Sequence, residues 1–189
     1  MTLLVGLGNP GCEYAATRHN IGRRVVECAA ARWSVSLTRQ GLVQQGTGLI
    51  HSHPIVIVLP DTYMNVSGEA VEAVCQAHGT RSRDVIVVHD DLDLPVGRLR
   101  VRSGGRSGGH NGVRSVCTAL GTDKFVRLKI GIGRPASGVD PAAFVLAPFT
   151  HAERDNLEPV MTRAVESLEC VVLHGVQEAM NRYNGLALP

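Results

Sequence analysis

The sequence predicts a single α/β domain over residues 1–189, a twisted mixed sheet, largely parallel, with helices on both faces. Three observations lead there. Short apolar runs rich in Val and Ile alternate along the chain with stretches of helical period, the pattern of strands and helices wound around a parallel sheet. The region 35–59 reads instead as hairpin-like strands, which makes the sheet mixed. The 189 residues contain no repeat, linker or low-complexity tract, and that length suffices for one real core.

Taken in order, residues 2–7 are a buried first strand, followed by the turn-rich Gly8-Asn9-Pro10-Gly11. Ile21, Val25, Val26, Ala29, Ala30 and Trp33 share one helical face, so a helix is expected over about 20–33. His19 then lies in the strand-to-helix crossing, at the carboxyl end of a strand where ligands of α/β sheets collect. Spans 35–38 and 41–50 are weakly alternating strand candidates, and 54–59 is a strong buried strand by its β-branched content. A helix follows over 67–78, with Gly79 placed to cap its end. Residues 85–88 and 99–101 read as strands, the loop 103–109 leads to a helix near 112–120, and 125–132 reads as a strand. Thr150-His151-Ala152-Glu153 has capping-box spacing. Leu157, Val160, Ala164, Val165, Leu168 and Val172 trace a further helical face, within which Pro159 is expected to force a kink or a restart. A last helix over 176–183 ends at Asn184-Gly185.

Hydrophobic residues at 44% and charged residues at 19% exclude a disordered or fibrous chain, and aromatics at 4% leave the core to aliphatic residues. The apolar run at the start is too short for a signal peptide and has no basic residues before it, and no membrane span is visible. Cys12, Cys28, Cys75, Cys117 and Cys170 are scattered without a C-x-x-C pair, as expected of free thiols in a cytoplasmic protein. The net charge of +2 hides an uneven distribution: from Arg98 to Arg134 there are nine basic residues and one acid, Asp123. Such a basic third reads either as a phosphate-facing surface or as a solvated face balanced by distant acids.

Several clusters carry chemistry. His19 has the one side chain whose ordinary pKa lets it exchange protons near neutrality, although a polar first helical turn is the plainer reading of that stretch alone. Gly6-Leu7-Gly8-Asn9-Pro10-Gly11 matches G-x-G-x-x-G, yet Pro10 and further non-helical residues precede any helix, and Ser36-Leu37-Thr38-Arg39 supplies no acid to bind a ribose. A dinucleotide site is therefore not expected. His89-Asp90-Asp91-Leu92-Asp93 follows the run 85–88 directly. Its acids could hold a divalent metal, but consecutive side chains of a strand diverge. The leaner reading gives one carboxylate the task of orienting an imidazole and leaves the other two to turns. Asn9, Asn65 and Asn111 each stand where a strand or loop hands over to a helix; side-chain amides there suit an ester and its oxyanion, or serve as helix caps. No Ser or Cys sits in a nucleophile-elbow context, which favours attack by water. The loop Gly104-Gly105-Arg106-Ser107-Gly108-Gly109 lacks the Lys-Ser/Thr ending of a P-loop.

Together, Gly6-Leu7-Gly8-Asn9-Pro10-Gly11, Tyr14-x-x-Thr17-Arg18-His19-Asn20-x-Gly22, Tyr63-Met64-Asn65-x-Ser67-Gly68, His89-Asp90-Asp91-Leu92-Asp93-Leu94-Pro95 and Gly108-Gly109-His110-Asn111-Gly112 resemble bacterial peptidyl-tRNA hydrolase. The resemblance runs from residue 2 to about 184, ending in Ala179-Met180-Asn181-Arg182-Tyr183-Asn184. It implies hydrolysis of the ester between peptide and tRNA by a cytoplasmic monomer, with no cofactor and no metal. By position it implies that His19 is the catalytic base and Asp90 its partner, with Asn9 among the catalytic groups. Asn65 and Asn111 then meet the peptide and scissile ester, Tyr14, Tyr63 and Met64 line the cleft, and Arg102 and Lys129 clamp the tRNA end. Two departures stand out. Arg106-Ser107 replaces smaller or more neutral residues in the Gly-rich loop, and the Arg and Lys of the clamp are exchanged relative to the commonest family pattern. Two other classes remain open at this point: a non-catalytic RNA-binding relative of the same fold, akin to chloroplast splicing factors, and a metal-dependent phosphodiesterase built on the Asp90 cluster.

Overall fold

The computed structural model describes residues 1–185. Its strands are β1 (Thr2–Gly6), β2 (Thr38–Gln40), β3 (Val43–Ile50), β4 (His53–Pro60), β5 (Val85–Asp91), β6 (Leu99–Ser103) and β7 (Val126–Gly131). Its helices are α1 (Ile21–Arg32), α2 (Ser67–His78), α3 (Asn111–Leu120), α4 (Pro141–Leu146), α5 (His151–Arg154), α6 (Leu157–His174) and α7 (Val176–Tyr183). The strands form one sheet in the order β2-β3-β4-β1-β5-β7-β6. Its centre, β4-β1-β5-β7, is parallel, while β2-β3-β4 on one side and β6-β7 on the other are antiparallel. The mixed sheet expected from the hairpin-like region is present.

Side-chain alternation along the strands divides the core into two layers. Leu4, Ile57, Ile86, Val88, Leu128 and Ile130 face α1, α6 and α7. Leu3, Val5, Val56, Val58, Val85 and Val87 form the other layer, with Val71 and Val74 of α2 and Val113 and Val116 of α3. Burial of the β-branched strand residues, at about 25 cal/mol per Å² of apolar surface, holds the layers together. The helices α2 and α3 come very close: a Cβ on Gly68 would lie 2.1 Å from the Ser115 carbonyl oxygen, so that position tolerates only glycine.

Four sequence expectations need correction. The strand expected over 35–38 is instead Thr38–Gln40, because Val35 turns inward to pack against Gly46 and Gly48. The run 85–88 continues as strand through Asp91, because β7 offers its backbone as far as Gly131. Pro159 neither kinks nor restarts α6; it sits in the first turn, where its missing N–H would have had no helical partner anyway. The short α4 was not foreseen, although Asp140 caps it by accepting from the Ala142 N–H and Pro141 opens it. The expected capping box at Thr150 and Glu153 is formed, and Gly79 closes α2 in the left-handed conformation. Among the described residues no helix is long and apolar enough to cross a membrane.

Candidate active site

The chain leaves β1 at Gly6, winds through turns, and enters α1 by a single 3-10 turn, Arg18–Asn20. Thr17, Arg18, His19 and Asn20 are all buried there, so each polar group needs a partner. The Asn20 amide provides two for the preceding loop: its Oδ1 accepts from the Asn9 N–H and its Nδ2 donates to the Asn9 carbonyl, both at 2.9 Å. Arg18 points the other way, donating to the Pro148 and Ala147 carbonyls and to Glu153, with its guanidinium 4.3 Å from the Phe144 ring. A Cβ on Gly22 would lie 2.2 Å from the Val88 carbonyl oxygen. Glycine there lets the start of α1 rest directly on β5, which brings His19 to the end of that strand.

Asp90 follows Ile86 and Val88 on the α1 side of β5, and it meets two imidazoles. Its Oδ1 lies 2.8 Å from His19 Nδ1 and 2.9 Å from His110 Nε2. An ionised carboxylate only accepts, so both ring nitrogens carry protons toward it. The Val113 N–H donates to His110 Nδ1 at 3.2 Å, which fixes His110 as the tautomer protonated at Nε2. His19 correspondingly keeps Nε2 without a partner among the described residues. Burial alone would raise the Asp90 carboxyl, but the positive ends of the N–H groups that His110, and next His19, turn toward it in hydrogen bonds outweigh burial and hold the group far below the usual carboxylate range. A third imidazole, His89, has its ring 4.8 Å from that of His110 and donates from Nδ1 to the Asp90 carbonyl at 2.6 Å. Burial first, and His110 next, push His89 well below its ordinary 6.5, so it stays neutral. Its Nε2 is buried without a partner among the described residues.

His19, Asp90 and His110 stand on one cleft of about 810 Å³, which Asn9, Tyr14, Tyr63, Met64, Asn65 and Asn111 also line. The amide oxygen of Asn9 accepts from the Met64 N–H at 2.8 Å, which leaves its NH₂ free among the described residues. In the same way Asn111 accepts from Arg114. The helix cap beside it is the His110 ring rather than Asn111. Tyr14 and Tyr63 pack edge to face with centroids 6.5 Å apart, and Pro141, Ala142, Val145 and Leu146 of α4 supply an apolar wall.

Arg102 and Lys129 are not brought into the cleft lining. They lie beside it on one face of the β6–β7 ribbon, where Arg100 pairs across from Lys129 and Arg102 from Arg127. Lys129 is bound to Asp91 at 2.7 Å, and Asp93 pairs with Arg134. Asp90 alone of the three acids hydrogen-bonds to the imidazole rings. The basic third does not form a single surface: Arg127 is 1% exposed and donates inward to the Gly105 and Arg106 carbonyls of the Gly-rich loop. His19, Asp90 and His110 also present three ligand atoms within 4.8 Å of one another, enough to meet one divalent ion, although His19 Nδ1, Asp90 Oδ1 and His110 Nε2 are taken up in hydrogen bonds here.

Sequence reasoning missed His110 and Asn20. Both lie inside the motifs, but their roles depend on contacts with residues 20 and 11 positions away, which no local pattern shows. Comparisons with known proteins show which proteins the chain is similar to. A family model described as Peptidyl-tRNA hydrolase matches residues 3–188. A protein of that name from Syntrophotalea carbinolica is 46% identical over 187 residues, covering 97% of each chain. One from Clostridium acetobutylicum is 39% identical over the full length of both. The crystal structure of peptidyl-tRNA hydrolase from Acinetobacter baumannii superposes with a TM-score of 0.93 at 35% identity, covering 98% of this chain and 95% of that one.

Proposed function

The chain belongs to the peptidyl-tRNA hydrolase family and hydrolyses the ester between peptide and tRNA, and from that premise we propose how its own residues carry the reaction. The observation that supports the reading is the His19–Asp90 hydrogen bond at 2.8 Å on the lining of the cleft. Asp90 holds the His19 proton on Nδ1, which leaves Nε2 as the base. A water molecule gives its proton to Nε2 while its oxygen adds to the ester carbonyl. The negative charge that develops on the carbonyl oxygen meets the free NH₂ of Asn9, and the imidazolium is stabilised by the Asp90 carboxylate. The tetrahedral intermediate then expels the ribose oxygen, which takes the proton back from His19, giving a peptide acid and a tRNA hydroxyl.

Asn65 and Asn111 hold the peptide backbone next to the ester, with Tyr14, Tyr63 and Met64 as cleft walls. Arg102 and Lys129 meet phosphates of the tRNA end outside the cleft. All of these groups come from one chain, so the working unit is read as a monomer. Five free thiols accord with the cytoplasm. A non-catalytic RNA-binding role is not favoured, since such a protein has no use for a buried carboxylate oriented on an imidazole.

Release of peptide from an N-blocked aminoacyl-tRNA, with free aminoacyl-tRNA as the control, tests the reading. His19→Ala is expected to lower the rate by about 10²–10⁴-fold with tRNA affinity nearly unchanged. Near-full activity in that variant contradicts the assignment.

A further inference from the structure

On the reading that Lys129 meets a tRNA phosphate, we propose that Asp91 is a built-in competitor for that phosphate and sets how tightly tRNA is held. The lysine Nζ and Asp91 Oδ2 are 2.7 Å apart, with the side chains only 15% and 12% exposed. The acid is held in place: its Oδ1 accepts from the Asp93 N–H at 2.8 Å, and its carbonyl accepts from the Ile132 N–H at 3.0 Å. One carboxylate oxygen thus closes the turn after β5, and the other is aimed at the lysine.

The neighbouring cations differ. Arg100 and Arg102 share the ribbon face with Lys129, and neither has a carboxylate partner among the described residues. Among the described residues, Lys129 is therefore the cation of this face that carries an internal counter-ion. Lysine is a point charge without arginine's planar fork, so a phosphate arriving at Nζ meets a charge already neutralised and a carboxylate beside it. Asp91 also lines the cleft, so the same acid adjoins both the ester site and the phosphate site. The consequence for turnover is direct. Binding tRNA equally in substrate, transition state and product lowers KM without raising kcat, and it slows product release. A carboxylate that weakens one phosphate contact keeps this uniform binding in check.

Asp91→Asn separates the two duties of the side chain, because the amide oxygen still accepts from the Asp93 N–H while the charge is gone. The probe is deacylated tRNA, bound to the whole protein over a range of salt concentrations. Asp91→Asn is expected to lower Kd by about three- to tenfold at low salt, with the log Kd against log salt slope steeper by up to about one unit. Lys129→Ala is expected to weaken binding, and adding Asp91→Asn to it should give no further tightening. If Lys129→Ala binds tRNA as the wild type does, the clamp reading itself falls and the proposal with it. If Lys129→Ala weakens binding but Asp91→Asn fails to tighten it, the clamp stands and the proposal alone is overturned, Asp91 then serving to position the lysine. Equal tightening in both backgrounds also overturns it, since the acid would then act by general repulsion.

Discussion

Three imidazoles crowd around Asp90, and their surroundings give them different chemistry. His19 keeps a free nitrogen on the cleft, His110 is fixed by the Val113 N–H, and His89 is enclosed at 2% exposure. An enclosed neutral imidazole makes stability depend on pH. Below its ordinary 6.5 the unfolded His89 binds a proton that the folded one refuses, so the folded state loses ground as pH falls. The loss approaches about 1.4 kcal/mol per pH unit from this residue alone. Urea unfolding between pH 7.5 and 5 should therefore show a shallower acid loss in His89→Gln than in the wild type, and parallel profiles would show that His89 is not held neutral. Of these residues, His19 stood out in the sequence by its proton chemistry and strand-end position, whereas the choice of Asp90 among three neighbouring acids came from the family resemblance. His110 was not legible there, since its role comes from a carboxylate 20 positions earlier.

At the scale of elements, the short helix α4 owes its place to Arg18. The guanidinium holds the Ala147 and Pro148 carbonyls and Glu153, and its face lies on Phe144. The residue next to His19 therefore anchors the apolar wall of the same cleft. Arg18→Met keeps apolar packing and loses the hydrogen bonds, at a cost of about 2–4 kcal/mol because the acceptors stay buried. Hydrogen exchange over residues 139–150 should speed up and KM should rise more than kcat falls; unchanged exchange there would refute the anchoring role. The wall was invisible in the sequence because six residues are too few for a helical period. The extension of β5 to Asp91 was missed for a related reason: His-Asp-Asp has no strand propensity, and only pairing with β7 keeps it extended. The longer periodic stretches, α1 and α6, appeared where their apolar spacing put them.

For the molecule as a whole, the weak point of an open sheet is its edge, where unpaired backbone groups invite other strands. Here β6 is one edge, and the far end of the chain covers it. The Asn184 amide accepts from the Val101 N–H at 2.6 Å and donates to the Val101 carbonyl at 2.9 Å, as a neighbouring strand would. Arg98 adds a bond to the Asn184 carbonyl. Asn184→Ala is expected to cost about 1–2 kcal/mol, visible in thermal unfolding, with faster exchange of the Val101 amide. Unchanged exchange at Val101 would remove Asn184 from that role. Fold class and sheet type were legible from alternating elements, whereas this closure joins residues 83 positions apart and needed the structure.

The central claim is that Asp90 acts through His19, and a double-mutant cycle in kcat/KM over Asp90→Asn and His19→Ala tests it most directly. Asp90→Asn keeps the size, but its amide no longer fixes the proton on His19 Nδ1 and the charge that stabilises the imidazolium is gone. The account predicts a fall in kcat/KM of about 10²–10⁴-fold when His19 is present. It predicts little further loss when Asp90→Asn is added to His19→Ala, while Asp93→Asn leaves the rate near that of the wild type. Full additivity of the two losses, or a fall in Asp93→Asn that matches the one in Asp90→Asn, would contradict the account.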